Sequence, residues 1–231
     1  MQRHHKHKNK LFKPLDWFCI IVGIIISILT VFLDHDHSLI YIISSLFMLN
    51  CGIIETILLI KGRRSNYIFS LLCALASIFV AFIDQFYGNM AINVYYIFIS
   101  VIGFYLWDQH IDKNNTVIAR KLTLKQTIAL VLALIVLSIG LNFILKLFGG
   151  HSTVVDSIST LLIIVASILG VLRYREQWLT WIVADALLLA MWVPTGGFTV
   201  ISLRAFFLLS SFYGYYNWRK LVKNDNIKKR I

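Results

Sequence analysis

The sequence predicts an all-α polytopic membrane protein, and three observations lead to that fold class. Hydrophobic residues make up 58% of the 231 residues, and the mean hydropathy is +0.76, whereas soluble domains are nearer half apolar. Long apolar runs recur from end to end with short polar segments between them, so no separate soluble catalytic domain is expected. Lysine and arginine cluster in alternate connecting segments, which is typical of chains that cross a bilayer repeatedly.

Eight apolar segments are expected after a basic, cytosolic N-terminal tail, residues 1–14. Their approximate bounds are 15–33, 39–60, 66–84, 91–107, 126–147, 155–172, 177–194 and 200–218. The first segment is not interpreted as a signal peptide, because it is long and lacks a small-x-small cleavage site. Residues 220–231 are interpreted as a second basic tail in the cytosol.

The placement of positive charge predicts the orientation. Of the 22 Lys and Arg residues, all but Lys146 and Arg204 lie in the two tails and in every second connection. Positive segments stay inside, so an even number of spans places both termini in the cytosol. The formal charge of +11 therefore reflects orientation, and no nucleic-acid partner is expected.

An internal repeat is visible at an offset of 111 residues. The stretch 103–107 (GFYLW) aligns with 214–218 (GYYNW), and Tyr67 aligns with Trp178. We interpret Trp107 and Trp218, which end these stretches, as interfacial anchors.

The repeat divides the chain into two three-helix units. The predicted parts are an extra N-terminal helix and outer loop at 15–37, a first unit at 38–108, a cytosolic loop and linker helix at 109–150, and a second unit at 151–219. Parallel repeats of this 3+1+3 kind are a transporter architecture, with substrate near the bilayer midplane between the units.

The seventh segment carries the strongest candidate site. One helix face presents three indoles and a carboxylate, those of Trp178, Trp181, Asp185 and Trp192. Asp185 lies about 12 Å from the inner end, near the middle of a roughly 30 Å hydrocarbon layer, where a carboxylate is costly. The pattern predicts a cavity for a flat, polar-edged ligand. The alternative is that the indoles pack between helices and Asp185 pairs with a polar neighbour.

Polar residues on other segments are candidate partners in substrate binding. Asn50, Tyr96 and Ser70 are predicted to line the same cavity, with Asn50 on the facing helix. The third segment also places several small polar side chains on one face: Asn66, Ser70, Cys73 and Ser77. Close helix packing is the alternative role of such small residues.

Three further residues are candidates for a gate or a structural pair. Arg204 and Asn93 align across the repeat, and both lie towards the outer face. Glu55 is the third, and an ion pair with Arg63 or Arg64 is its structural interpretation.

Catalytic and metal-binding patterns are missing from the sequence. Cys19, Cys51 and Cys73 form no spaced set, so neither a disulfide nor a zinc site is expected. The DHDH stretch at 34–37 and the N-terminal histidines are interpreted as solvated rather than metal-binding. No GxSxG, HExxH, GxGD or phosphate-binding glycine loop is present. We therefore expect no cofactor and no enzymatic activity. A membrane enzyme acting on a nucleoside or lipid-linked substrate is the alternative from another class.

The chain after residue 38 resembles the PnuC vitamin transporters. The resemblance rests on the WxxW of Trp178 and Trp181, on the GxYxW end of each unit and on the 3+1+3 layout. It implies a multi-pass protein of the bacterial plasma (inner) membrane with a SWEET-like fold and a homotrimeric assembly. It also implies uptake of nicotinamide riboside by facilitated diffusion, with a cytosolic kinase that traps the nucleoside. Relatives in that family carry thiamine, riboflavin or deoxynucleosides, which WxxW does not separate. Asp185 suits a cationic ring, either the pyridinium of nicotinamide riboside or the thiazolium of thiamine.

Overall fold

The described part of the chain folds into eight α-helices. A computed structural model describes residues 13–32, 38–83, 85, 87–147, 153–195 and 198–228. The helices are α1 Pro14–Phe32, α2 Leu39–Ile60, α3 Asn66–Ile83, α4 Tyr87–Asp108, α5 Leu124–Leu147, α6 Thr153–Val171, α7 Gln177–Trp192 and α8 Phe198–Lys228, with a short 3-10 helix at Val193–Thr195. The all-α fold class is confirmed. The DHDH stretch and the N-terminal histidines lie outside the described residues.

The helices have the length and composition of membrane spans. Five of them are long and apolar enough to cross a bilayer: α2, α3, α5, α6 and the part of α4 at Met90–Asp108. The apolar parts of α1 and α7, Asp16–Leu29 and Gln177–Met191, are shorter. Lipid offers the backbone no hydrogen-bond partners, so apolar segments of this length satisfy their own N–H and C=O groups as helices.

Helix α8 is longer than the sequence suggested. It continues to Lys228, whereas residues 220–231 were expected to form a tail. No glycine or proline interrupts residues 215–228, and Lys and Arg favour helix. The extension is also packed, because Val222 is buried and Leu221 lies against Gly62.

Six helices close into a ring. Helices α2, α3 and α4 pack in succession, as do α6, α7 and α8, and the ring is completed by α4 against α6 and α8 against α2. The predicted units 38–108 and 151–219 contain helices α2–α4 and α6–α8, which we call the two halves of the ring, and their relation as repeats stays a prediction. Helix α1 lies outside it against α2 and α8, and α5 lies outside it against α6.

Equivalent contacts recur in the two halves at the 111-residue offset. A Cβ atom added at Gly103 would lie 2.3 Å from the ring of Tyr67, and one added at Gly214 would lie 2.4 Å from the ring of Trp178. In each half, therefore, a glycine lets an aromatic ring of the preceding helix lie directly on the helix backbone. These paired contacts support the predicted repeat.

Trp107 and Trp218 join the two halves, so the interpretation of both as interfacial anchors is wrong. Both are completely buried, and their ring centroids are 5.9 Å apart. Nε1 of Trp107 donates to the carbonyl of Gly170 at 3.1 Å, and Nε1 of Trp218 donates to the carbonyl of Leu59 at 2.9 Å. Each indole thus finds its hydrogen-bond acceptor at a helix end of the opposite half, which holds it inside the protein.

The connection between α4 and α5, residues 109–123, is docked on both halves. Gly62 and Arg173 each have positive φ, +64° and +65°, in the turns that end α2 and α6. The backbone N–H of Val117 donates to the Gly62 carbonyl at 2.8 Å, and that of Arg120 donates to the Arg173 carbonyl at 2.7 Å. This connection therefore ties the two turns together at the predicted cytosolic end.

The two helices outside the ring are held differently. Asp16 of α1 is buried, accepts a hydrogen bond from the Tyr213 hydroxyl at 2.8 Å, and forms an ion pair with Lys61. Helix α5 has no buried residue within the described chain. Its apolar surface is therefore available to lipid or to another subunit.

Candidate functional site

A cavity of about 430 Å³ lies inside the ring of helices. All six ring helices contribute residues to its wall, so it lies between the two halves. The volume falls within the roughly 300–1,000 Å³ of typical small-molecule sites. The position agrees with that expected for a substrate between repeated units.

One face of α3 and one face of α7 supply much of the wall. The lining residues of α3 include the four small polar ones on its predicted face, Asn66, Ser70, Cys73 and Ser77. Those of α7 are Gln177, Trp178, Trp181 and Asp185. Helical periodicity therefore identified two faces that meet at one cavity.

The two indoles of the WxxW stretch have different surroundings. Trp178 is 2% exposed, lies against Gly214, and contacts Trp218 edge-on with centroids 6.3 Å apart. Trp181 lines the cavity and is only half-buried. Trp178 therefore also packs the helix interface, whereas Trp181 has more of its ring surface available to a ligand.

The charged groups of the cavity are two carboxylates and one guanidinium. Among the described lining residues, Glu55 and Asp185 are the acids and Arg204 is the cation. The Ser211 hydroxyl donates to Asp185 Oδ2 at 3.3 Å, and Arg204 lies within electrostatic range of the same carboxylate. Glu55 is hydrogen-bonded to Ser70. The wall therefore combines two acidic side chains with one basic one.

Helix α4 contributes the remaining predicted residues. Asn93 and Tyr96 both line the cavity, and Asn93 is buried. Tyr96 lies within electrostatic range of Glu55 and Arg204. Tyr96, a candidate for binding, and Asn93, a candidate for gating, are thus part of the same wall.

The structure places Asn50 away from the cavity. Its side-chain amide donates to Ser27 of α1 at 3.2 Å and to the carbonyl of Leu46 at 2.7 Å. The α2 residues that line the cavity include Met48 and Glu55. Residues two apart on a helix point roughly 200° apart, so the face that presents Met48 turns Asn50 towards α1. The expected position of Asn50 on the cavity wall is therefore wrong.

The suggested ion pair of Glu55 is also wrong. The Arg63 guanidinium donates to the carbonyl of Asn114 at 2.6 Å, and Arg64 forms an ion pair with Asp108. Both arginines face the connection that follows α4, whereas Glu55 faces the cavity. Trp192 belongs to α7, but its side chain lies outside the described residues.

Gln177 is one of the polar cavity residues that the sequence predictions missed, and Ser211 is another. Gln177 is completely buried, and so is Asn66, which aligns with it across the repeat. Both amides lie in the first turn of their helices and line the cavity. The alignment of two amides at equivalent positions was the available signal.

The wall is built for binding rather than for bond chemistry. It combines flat rings, hydroxyls, amides and carboxylates, which suit a planar solute with polar edges. Within the described ranges, no three His, Cys, Asp or Glu side chains are grouped so as to hold a metal ion.

Comparison with known proteins agrees with this picture. The family described as "Nicotinamide mononucleotide transporter" matches residues 38–220. A Haemophilus influenzae protein named "Nicotinamide riboside transporter PnuC" is 38% identical over 179 residues, covering 76% of this chain and 78% of that protein. A Neisseria mucosa protein of the same name is 33% identical over 188 residues, covering 76% and 71%.

A solved structure has the same fold. It is described as "Crystal structure of the Vitamin B3 transporter PnuC" and superposes with a TM-score of 0.75 at 27% identity, covering 92% of this chain and 94% of that one. The resemblance drawn from the WxxW and GxYxW motifs is confirmed, and the relatives are transporters rather than enzymes. The chain belongs to the nicotinamide mononucleotide transporter family, that of the PnuC membrane transporters.

Proposed function

We propose that this protein takes up nicotinamide riboside. The observation that carries the proposal is the cavity between the two halves, whose wall includes the indole of Trp181 and two carboxyl side chains, Glu55 and Asp185. An indole stacks on a planar base or ring with roughly 1–3 kcal/mol, and a desolvated cation over it adds up to about 2 kcal/mol. A pyridinium nucleoside has the flat ring, the positive charge and the hydroxyls that match this wall. The names of the two relatives point to the same solute.

Thiamine is the second candidate, because its thiazolium ring is also cationic and flat. Riboflavin and deoxynucleosides are neutral, so they would form no ion pair with either of the two carboxylates in the wall. The charge of the wall therefore favours a pyridinium or thiazolium solute over a neutral one.

The proposed mechanism is facilitated diffusion followed by trapping. The cavity holds few charges, and the sequence has no nucleotide-binding motif, so the carrier itself offers no site for ATP. A cytosolic kinase would phosphorylate the nucleoside and keep it in the cell. Uptake into proteoliposomes should reach equilibrium and persist when ion gradients are collapsed. Accumulation above equilibrium driven by a proton or sodium gradient would overturn this mechanism.

The proposed setting is the bacterial plasma (inner) membrane, with both termini in the cytosol and two parallel three-helix units. The recurrent contacts at the 111-residue offset support the two-unit layout. A homotrimer is proposed from the family resemblance, and the exposed apolar side chains of α5 are compatible with a subunit contact. Native mass spectrometry in detergent measures the number of subunits, and a monomer would contradict the trimer.

The experiment that tests the substrate is a thermal-shift screen of the purified chain. Nicotinamide riboside, thiamine, riboflavin and a deoxynucleoside are each added over a range of concentrations. A ligand at 100 times its Kd adds about 2.7 kcal/mol of stability. We expect nicotinamide riboside to stabilise at the lowest concentration. If only thiamine stabilises the protein, thiamine replaces nicotinamide riboside as the proposed substrate. If none of the four compounds stabilises it, the proposal that it binds a vitamin or nucleoside is contradicted.

A further inference from the structure

Two adjacent residues of α7 that line the cavity carry buried polar atoms without a partner among the described residues. Both atoms of the Gln177 amide, Nε2 and Oε1, are buried and have no hydrogen-bond partner within the described part of the chain. The same is true of Nε1 of Trp178. Gln177 is 0% exposed and Trp178 is 2% exposed, and both line the cavity.

A purely structural role does not account for these groups. A buried donor or acceptor without a partner costs roughly 1–3 kcal/mol, and a folded protein ordinarily satisfies such groups. The aligned amide, Asn66, does so, because its Nδ2 donates to the carbonyl of Arg63 at 2.6 Å. Gln177 has one more methylene and reaches a different place, with Oε1 2.6 Å from where a Cβ of Gly170 would lie. The absence of a side chain at Gly170 leaves room for the amide.

The position of Gln177 on α7 relates it to the rest of the site. Gln177, Trp181 and Asp185 follow one another at intervals of four residues, so they form a ladder on one helix face, with about 6 Å between steps. The steps are an amide, an indole and a carboxylate. A solute whose ring lies on Trp181 therefore has one edge directed towards Gln177 and the other towards Asp185.

We propose that Gln177, assisted by the indole N–H of Trp178, recognises a primary carboxamide on the ring of the transported solute. The inference rests on the proposed function and adds the group that the cavity selects. An amide pairs with a carboxamide reciprocally: Oε1 accepts from the solute N–H, and Nε2 donates to the solute carbonyl. Because both atoms lack partners, the pairing holds for either orientation of the Gln177 amide.

This pairing separates solutes that stacking and charge do not. A flat cationic ring without a carboxamide satisfies Trp181 and Asp185 but leaves the Gln177 amide unpaired. A ring carboxylate accepts from Nε2 but has no N–H for Oε1. Sites that hydrogen-bond a substrate group discriminate strongly against analogues that lack it, because their own polar groups are then left unpaired.

The first test compares three ligands on the purified full-length chain by thermal shift. They are nicotinamide riboside, the riboside of unsubstituted pyridinium, and nicotinic acid riboside. We expect nicotinamide riboside to bind about tenfold to a hundredfold more tightly than either analogue. If the pyridinium riboside binds as tightly as nicotinamide riboside, the inference is overturned while the proposed function stands. If none of the three binds, the proposed function itself fails.

The second test moves or removes the amide. Gln177→Met has similar length and lacks both unpartnered atoms, so it should abolish the preference for the carboxamide without lowering the Tm of the ligand-free protein. Gly170→Ala should displace the amide and weaken the preference in the same direction. Gly140→Ala is the matched control, because a Cβ at Gly140 meets no atom within 4 Å.

Either variant can contradict the inference. A preference for nicotinamide riboside over pyridinium riboside that is unchanged in Gln177→Met shows that the amide is not the selecting group. If that variant does not fold, the same comparison in Gly170→Ala decides. A structural role alone predicts a lower Tm in Gln177→Met with the ligand preference intact.

Discussion

Replacing Gly214 by alanine is expected to destabilise the protein by driving a side chain into a buried indole. The added Cβ would lie 2.4 Å from Cε3 and Cζ3 of Trp178 and 2.5 Å from Cδ2. Carbon atoms in favourable contact are about 3.5–4.0 Å apart, so the ring or α8 must move by roughly 1 Å. The ring has little freedom to move, because it is 2% exposed and lies edge-on against Trp218.

The expected magnitude follows from two opposing effects. Overpacking of this kind costs roughly 1–3 kcal/mol, and alanine regains about 1 kcal/mol of helix propensity over glycine. The net loss is therefore about 0–2 kcal/mol, which corresponds to a Tm up to about 8 °C lower for a chain of this length. Thermal unfolding of the purified protein measures it. Because Trp178 also lines the cavity, ligand binding should weaken in the same variant.

Two control variants separate this contact from a general effect of the substitution. Gly140→Ala on α5 adds the same methyl group in open space and should leave the Tm unchanged or slightly raised. Gly103→Ala should behave like Gly214→Ala, because its Cβ would lie 2.3 Å from the Tyr67 ring. A Tm for Gly214→Ala equal to that of Gly140→Ala would refute the close approach of Trp178 to α8.

Three further outcomes are expected. Trp181→Ala should weaken ligand binding by about tenfold to a hundredfold on the stacking scale, with expression unchanged, and binding equal to that of the parent would mean that the indole is packing only. Asp185→Asn should weaken the binding of a cationic solute more than that of a neutral nucleoside, measured by titration of both, and an equal loss would show that the carboxylate acts as a hydrogen-bonding group. Reporter fusions at Ile231 and in the 34–37 loop should give opposite readouts, and equal readouts would contradict two cytosolic termini with an even number of spans.

Much of the site could be predicted because helical periodicity is a local property. The spacing of Trp178, Trp181 and Asp185 identified the face of α7 that lines the cavity. The same reasoning applied to α3 identified Ser70 and its neighbours. The prediction that Asn50 lines the cavity failed because α2 carries polar residues on more than one face. The face of α2 that meets the cavity carries Glu55, whereas Asn50 faces α1.

The buried tryptophans show that the position of a residue along an apolar segment does not suffice to predict its surroundings. Trp107 and Trp218 lie near the ends of apolar segments, where an indole commonly anchors a helix at the membrane surface. Their acceptors, the carbonyls of Gly170 and Leu59, belong to the other half of the ring. Contacts between residues so far apart in sequence leave no local pattern, so the anchor interpretation was the natural one and was wrong.

Hydropathy, the distribution of Lys and Arg, and the 111-residue repeat are properties of the linear chain. By themselves they determined the fold class and the bounds of most helices, and they predicted a division into two three-helix units. The tertiary structure decided which side of each helix faces the cavity, and it left the Gln177 amide without a hydrogen-bond partner in the part of the chain that it describes. The physical reason is that periodicity specifies the angles between residues on one helix, whereas the rotation of that helix about its axis depends on packing against its neighbours.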